Sequence, residues 1–238
     1  MILYLKHIDI EGPGTIETFF QGNGFKTRTV ELHKGEPLPR KLEGLEAIIP
    51  LGGPMNVYEE DKFPFLKDED EFFKKALKQE IPILGICLGS QLLSKASGAR
   101  VTKSPVKEVG WFKVQFAPEG RQDPLFAGIG EEIDVYHWHE DMWEVPQNGK
   151  LLATSAGCPH QALKVGRNAY GLQFHVEVTE RIIKDWCKAY IAGDDPEKQK
   201  KAQDMIATYE RKKESFNATA WKIYDNFVKV IESRLVGA

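Results

Sequence analysis

The chain has 238 residues, of which 42% are hydrophobic and 28% charged, and this ordinary globular composition excludes disordered, collagen-like and disulfide-scaffold proteins. Its 32 basic and 35 acidic side chains give a formal charge of −3, which predicts no attraction to nucleic acid or anionic lipid. No apolar run reaches the ~20 residues that span a bilayer, and no secretory signal is recognisable. Three widely spaced cysteines suit a reducing compartment. We therefore predict a cytoplasmic protein with no membrane partner.

The first hundred residues alternate between strand and helix patterns. Strands are predicted at 2–6, 25–32, 47–51 and 81–84, and helices at 15–21, 65–79 and from 91 onward. Strands separated by helices of this length indicate a parallel sheet whose two faces are covered.

Closely spaced strands follow, and then helical spacing. The strands are predicted at 111–116, 133–139, 151–155, 161–165 and 170–178, which indicates antiparallel hairpins beside the parallel sheet. From Gly193-Asp194-Asp195-Pro196 onward, apolar side chains recur at helical spacing among charged ones. We predict a core domain over residues 1–192 and a helical extension over residues 193–238. The extension either packs on the core or binds a partner.

The strongest chemical signal is Gly85-Ile86-Cys87-Leu88-Gly89, which follows a buried strand and opens a helix. Glycines on both sides allow a tight strand-to-helix turn that leaves the middle side chain exposed, as in the nucleophile elbow of hydrolases. The positive end of the helix favours the thiolate of Cys87. The alternative is a structural cysteine between two packing glycines.

A general base and its orienting group are predicted on one extended segment. Alternation along residues 170–178 puts Gln173, His175 and Glu177 on the face opposite the apolar side chains. Glu177 is then close enough to fix the tautomer of His175, as the third member of a triad does. The alternative is a solvent-exposed polar face on an edge strand.

The third chemical signal is Gly52-Gly53-Pro54 at the end of a predicted strand. Glycines leave backbone N–H groups open to close approach, which is what an oxyanion hole requires. The alternative is an ordinary turn.

Together these segments resemble the class I, triad-type glutamine amidotransferase domain, and within it the stand-alone branch labelled GMP-synthase-like. The resemblance covers roughly residues 1–192, and the chain departs from the usual pattern at Ser90, Glu140 and Val176. Further matches are Glu108-Val109-Gly110-Trp111, His137-Trp138-His139 with Asp141, and Cys158-Pro159-His160-Gln161-Ala162. The resemblance implies an α/β, flavodoxin-like fold with a central, mostly parallel sheet flanked by helices, a small antiparallel annex and C-terminal helices.

The resemblance also implies roles for individual residues. Cys87 would attack the γ-carboxamide of glutamine, with His175 as general acid and base and Glu177 orienting it. Backbone N–H groups of Gly53 and Leu88 would hold the oxyanion. The residues implied to bind substrate are Gly52, Gln91, Gly110, Trp111 and His137.

A metal site is the alternative reading of His137, His139 and Asp141, whose side chains alternate along one strand. A catalytic zinc site needs three ligands with supporting contacts, and the triad chemistry uses neither a metal nor another cofactor. We expect these histidines to form a wall of the pocket, or a satisfied pair in the core.

Three functions remain open at the level of sequence. The first is a glutaminase that passes ammonia to a separate synthetase partner. The second is a γ-glutamyl peptide or amide hydrolase with the same triad, acting on a γ-glutamyl compound other than L-glutamine. The third is a non-catalytic regulatory or binding module. No phosphate-binding glycine loop is present, so nothing in the sequence predicts nucleotide-driven synthesis by the chain itself.

Overall fold

Nine strands form a single sheet in the computed structural model, which describes residues 1–191, 193 and 195–236. The strands are β1 (Ile2–Lys6), β2 (Thr27–Glu31), β3 (Ala47–Pro50), β4 (Ile83–Ile86), β5 (Val101–Phe116), β6 (Glu132–Trp143), β7 (Gly149–Thr154), β8 (Ala162–Val165) and β9 (Ala169–Leu172). Their order across the sheet is β2-β1-β3-β4-β9-β8-β7-β5-β6. The strands from β2 to β9 in this order pair in parallel, and those from β9 to β6 pair in antiparallel fashion.

Helices cover the sheet. They are α1 (Gly14–Gly22), α2 (Phe65–Lys78), α3 (Leu88–Ala96), α4 (Pro118–Gln122), α5 (Glu180–Tyr190) and α6 (Pro196–Val236). The predicted α/β fold is confirmed. The antiparallel strands belong to the same sheet as the parallel ones and follow them after β9. Within the described ranges, no helix combines the length and apolarity needed to cross a membrane.

Alternate side chains of the parallel strands enter two separate cores. In β1, Ile2 and Tyr4 pack with side chains of α1 and α6, while Leu3 and Leu5 pack with side chains of α2 and α3. Because both of their faces are buried, the inner strands β1, β3, β4 and β9 are almost entirely apolar, as parallel strands usually are, whereas the edge strand β2 is mostly polar. Polar side chains follow β1, β4 and β9 directly (His7, Cys87 and Gln173), and the carboxyl ends of β1, β3, β4 and β9 lie at one edge of the sheet.

The segment predicted as a strand at 170–178 is regular only as far as Leu172. Beyond it the backbone pairs with three different neighbours: Leu172 O accepts from Cys87 N, Gln173 N donates to Gln161 O, and His175 N donates to Tyr136 O. No single ladder continues, so the prediction of one strand through residue 178 is wrong. The alternation of side chains nevertheless persists through these residues.

Helix α6 runs for 41 residues and lies against the core. The apolar side chains that recur at helical spacing in its sequence are buried at Tyr209, Phe216, Ala220, Tyr224, Phe227 and Ile231. The predicted boundary between residues 192 and 193, the helix-start residue Asp194 and the side chain of Leu235 fall outside the described part of the chain.

Candidate active site

Cys87 occupies a strained turn between β4 and α3. Its backbone angles are φ 50° and ψ −106°, in a region that costs a residue with a side chain on the order of 1–3 kcal/mol. The flanking glycines permit the turn: a Cβ on Gly89 would lie 2.2 Å from the carbonyl oxygen of Pro50, and one on Gly85 would lie 2.6 Å from the carbonyl oxygen of Gly89. The thiol of Cys87 is 5% exposed and lines a cavity. This geometry is that of a nucleophile elbow.

His175 and Glu177 form a buried pair beside that thiol. The imidazole Nδ1 of His175 lies 2.6 Å from Oε1 of Glu177, and Oε2 of Glu177 accepts a hydrogen bond from the backbone N–H of Val176 at 3.0 Å. The polar row is therefore not a solvent-exposed face, because His175 is 1% and Glu177 3% exposed. A carboxylate at Nδ1 keeps a proton on that nitrogen and leaves Nε2 for proton transfer.

The pKa of His175 is raised well above its ordinary value. Burial by itself lowers this pKa, but the negative charge of Glu177 and the interaction with Cys87 outweigh the burial. The imidazolium is therefore the favoured form of His175, and the side chain of Cys87 is one of the groups that stabilise it. An imidazolium next to a thiol stabilises the thiolate, which is the nucleophilic form of cysteine.

The backbone N–H groups of Gly53 and Leu88 border this centre. Neither N–H donates a hydrogen bond to any residue in the described part of the chain. Gly53 lines the same cavity as Cys87, and Leu88 is the first residue of α3, where N–H groups have no partner within the helix. A Cβ on Gly53 would lie 2.8 Å from a methyl carbon of Leu88. The two donors thus belong to touching segments.

A cavity of about 530 Å³ opens over the thiol, a volume within the range of small-molecule sites. Charged residues dominate its mouth. Its lining includes Glu11, Gly53, Pro54, Met55, Asn56, Cys87, Gln91, Lys103, Lys107, Val109, Trp138, His139, Glu140, Asp141, Tyr190, Ile191, Lys198 and Lys201.

Of the residues implied to bind substrate, Gln91 and Gly52 lie at the centre. The side-chain N–H of Gln91 donates to Oε1 of Gln173 at 3.3 Å, and Gln173 in turn lies 3.7 Å from the sulfur of Cys87. Gly52 faces His175, because a Cβ there would lie 3.1 Å from Cε1 of that ring.

Gly110, Trp111 and His137 lie away from the cavity. The indole N–H of Trp111 donates to the carbonyl of Met205 in α6 at 3.0 Å, and Gly110 faces the Met205 side chain. His137 is completely buried. The structure therefore gives these residues contacts with α6 and the core, and none of the three lines the cavity with Cys87.

His137 belongs to a buried cluster with Glu108 and His139, whose ligand-type atoms lie within 4.8 Å of one another. These are the described buried residues that could hold a divalent ion, and the sequence had pointed to Asp141 instead of Glu108. They also contact one another directly: Nε2 of His139 lies 3.0 Å from Oε2 of Glu108 and 3.1 Å from Nδ1 of His137. Burial, and then the neighbouring His139, lower the pKa of His137 to about 3. His139 contributes to the cavity wall.

The departures from the usual family pattern lie in three different surroundings. The hydroxyl of Ser90 is buried and donates to the carbonyl of Cys87 at 2.7 Å. Val176 is buried in the core. Glu140 lies at the mouth of the cavity and pairs with Lys107. Only Glu140 is therefore placed to meet a molecule in the cavity.

Sequence reasoning missed three buried polar residues next to the centre: His7, Glu11 and Glu69. The carboxylate of Glu11 lines the cavity, and burial raises its pKa to about 7. The ring of His7 lies between Glu69 and the carbonyl of Gly52. A signal was available, because His7 directly follows the carboxyl end of β1 and Glu11 lies in the same loop, at the edge where sites form in such sheets.

Comparisons with known proteins agree on one family. The model of the glutamine amidotransferase class-I family matches residues 20–185. The glutamine amidotransferase-like protein YfeJ of Salmonella typhimurium is 31% identical over 183 residues, which are 76% of this chain and 77% of that protein. The glutamine-hydrolysing GMP synthase of Thermosipho africanus is 38% identical over 141 residues, which are 58% of this chain but only 25% of the synthase.

Solved structures give the same result over nearly the full chain. The crystal structure of a glutamine amidotransferase from Thermotoga maritima superposes with a TM-score of 0.86 at 35% identity, and the match covers 95% of this chain and 97% of that one. A glutamine amidotransferase from Methylobacillus flagellatus gives a TM-score of 0.82 at 25% identity, over 96% of this chain and 94% of that one.

Proposed function

The chain belongs to the class I glutamine amidotransferase family, and on that premise we propose that it is a cysteine-dependent amide hydrolase that cleaves the γ-amide of glutamine. Cys87 is the nucleophile, His175 the general acid and base, and Glu177 the group that orients His175. The carbonyl oxygen of the substrate, negatively charged in the tetrahedral intermediate, is held by the N–H groups of Gly53 and Leu88.

The reaction runs in two halves. The thiolate of Cys87 attacks the γ-carbonyl carbon, the C–N bond breaks, and the imidazolium of His175 gives its proton to the departing nitrogen, which leaves as ammonia. A γ-glutamyl thioester remains on the sulfur. His175 then takes a proton from water, and the resulting hydroxide attacks the thioester and releases glutamate and the thiolate. Glu177 stabilises the imidazolium whenever it forms.

The observation that carries this proposal is the buried pair of Glu177 and His175, whose imidazole interacts with Cys87 at a strained elbow, next to two N–H groups that have no acceptor among the described residues. A purely structural cysteine needs neither the strain nor the buried acid–base pair. A binding module without catalysis would not require them either.

A second candidate is hydrolysis of a larger γ-glutamyl amide or peptide with the same residues. The cavity of about 530 Å³ and the four lysines at its wall favour it, because these features leave room and charge for a leaving group larger than ammonia. For the first candidate, the released ammonia would pass to a synthetase partner; the chain matches about a quarter of the length of a glutamine-hydrolysing GMP synthase. The predicted cytoplasmic location suits a reactive thiol, because a reducing compartment protects it from oxidation.

The test measures ammonia and glutamate release from glutamine and from γ-glutamyl dipeptides, with wild type, Cys87→Ala and the control Cys187→Ala. Cys187 lies on α5, outside the cavity. We expect turnover by wild type and by the control, and none by Cys87→Ala. Faster turnover of dipeptides than of glutamine selects the second candidate. Activity that survives in Cys87→Ala would contradict both, and labelling by a thiol-reactive glutamine analogue, located by mass spectrometry, identifies the nucleophile independently.

A further inference from the structure

A buried histidine–glutamate pair holds the peptide unit that carries one of the two oxyanion donors. Nδ1 of His7 lies 3.0 Å from the carbonyl oxygen of Gly52. Its Nε2 lies 3.0 and 3.1 Å from the two carboxylate oxygens of Glu69 on α2. Both side chains are completely buried, so this is a fixed contact and not a surface ion pair.

Both ring nitrogens of His7 face acceptors, which determines where its protons are. A carbonyl oxygen and an ionised carboxylate can only accept hydrogen bonds, and neither can donate one. His7 must then carry a proton on each nitrogen and be an imidazolium. Its pKa is accordingly raised: burial lowers it, but Glu69 and the contact with Gly52 outweigh the burial. The other charged group that acts on His7 is Glu11, in the loop after β1.

The orientation of the next N–H follows from peptide geometry. In a trans peptide the C=O and the following N–H point in opposite directions. The C=O of Gly52 points at His7, so the N–H of Gly53 points away from it. That N–H donates to no group in the described chain, and Gly53 lines the cavity with Cys87.

We propose that His7 and Glu69 are positioning residues for the oxyanion hole: they hold the Gly52–Gly53 peptide so that the N–H of Gly53 faces the substrate carbonyl. The inference rests on the function proposed above and adds two residues to it. Neither residue touches the substrate, since neither lines the cavity.

The peptide needs such a holder because both of its residues are glycines. Glycine has access to far more of φ/ψ space than other residues, so a Gly–Gly peptide reorients readily when nothing anchors its carbonyl. Residues with side chains at positions 52 and 53 could not restrict the peptide instead, because a Cβ would not fit at either position. A Cβ on Gly52 would lie 2.2 Å from Oε2 of Glu11, and one on Gly53 would lie 2.9 Å from Cβ of His7.

The charge on His7 adds a second effect. A cation at the carbonyl of Gly52 polarises the peptide and makes the N–H of Gly53 a stronger donor, because linked hydrogen bonds reinforce one another. Preorganised donors of this kind act where negative charge develops in the transition state.

Two substitutions of His7 distinguish a residue that positions the Gly52–Gly53 peptide from one that only pairs with Glu69. In His7→Asn, the side-chain N–H₂ can reach the place of Nδ1 and donate to Gly52, while the contact with Glu69 is lost. In His7→Gln, the longer side chain puts its N–H₂ near the place of Nε2, so the contact with Glu69 is kept and the one with Gly52 is lost. Both variants remove the charge, so the comparison between them sets the contact with Gly52 against the contact with Glu69.

We expect His7→Gln to lose about 10- to 100-fold in kcat with KM changed less than threefold, since removing an oxyanion donor outright costs on the order of 10²–10³. His7→Asn retains at least tenfold more kcat than His7→Gln although it is the less stable protein. If His7 only satisfies Glu69, the order of kcat follows stability and is reversed, which overturns the proposal. Alkylation of Cys87 by iodoacetamide checks that the nucleophile is intact in both.

A crystal structure of His7→Gln decides the inference independently of turnover. A rotated or disordered Gly52–Gly53 peptide supports it, and an unchanged peptide refutes it. Wild-type protein that turns over neither glutamine nor any γ-glutamyl dipeptide refutes the proposed function instead, and the two failures are thereby distinguished.

Discussion

Replacing Glu177 with glutamine tests the proposed triad while keeping the size of the side chain. Glu177 receives two hydrogen bonds on two different oxygens, one from His175 and one from the backbone N–H of Val176. A glutamine has one carbonyl oxygen and one N–H₂ group, so one of the two donors then faces another donor. Either Val176 loses its acceptor, or His175 adopts the tautomer that cannot accept the thiol proton.

The size of the effect follows from these contacts. A hydrogen bond to a charged group contributes about 1.5–3 kcal/mol, and its loss in the transition state lowers kcat/KM about 10- to 150-fold. The wrong tautomer lowers it further, toward the ~10⁴-fold seen when a serine-protease triad loses its carboxylate. We therefore expect a loss between about 10- and 10⁴-fold.

The pH profile changes as well. The carboxylate of Glu177 helps to hold the pKa of His175 well above its ordinary value, so the imidazolium persists to high pH in the wild type. Without that charge the pKa falls, and the alkaline limb of kcat/KM moves to lower pH. The assay is ammonia release as a function of pH. The control is Glu180→Gln, a half-exposed glutamate in the first turn of α5. A Glu177→Gln enzyme within threefold of wild type, with an unmoved alkaline limb, would refute the assignment.

Three further substitutions have defined outcomes. Gly89→Ala pushes a methyl group to within 2.2 Å of a backbone oxygen of β3, so it lowers the free energy of unfolding by about 1–3 kcal/mol and removes activity. The control Gly22→Ala has open space around the new methyl group and changes neither property. Urea unfolding and turnover are measured for both variants. Tyr224→Phe removes the hydroxyl that donates to the carbonyl of Val176 at 3.1 Å and costs about 1–3 kcal/mol in the same unfolding assay, because a buried acceptor loses its partner. Burial raises the pKa of Glu11 from 4.5 to about 7, so wild-type stability falls as the pH rises between these values. Glu11→Gln lacks this dependence and gains up to roughly 3 kcal/mol on wild type between pH 4.5 and pH 8; equal pH dependence of the two proteins would contradict the burial of a titrating carboxyl.

Much of the fold is predictable because local sequence patterns indicate it. Continuous apolar runs separated by amphipathic helices require a covered parallel sheet, since each strand has two faces to bury. The ends of elements were less predictable, as residues 173–178 illustrate. Whether an extended segment belongs to a ladder depends on which backbone lies beside it, and here the neighbours are three separate segments.

In the candidate site, too, the local features were predictable and the features that depend on the fold were not. The turn at Cys87 and the spacing of His175 and Glu177 are local, so the sequence indicated them directly. The resemblance also pointed to Gly110, Trp111 and His137, which the structure places against α6 or in the core. A family pattern does not distinguish a side chain that faces the cavity from one that packs behind it.

The tight turn at Cys87 and the contact between His175 and Glu177 can be predicted from the sequence alone, because residues close together on an extended or tightly turned chain have few possible arrangements. The contact of His7 and Glu69, 62 residues apart, at the carbonyl of Gly52 is visible in the folded chain alone. It forms because β1 and β3 are neighbours in the sheet and α2 packs over them. A buried charge finds its partner through that packing, and no spacing along the chain specifies it.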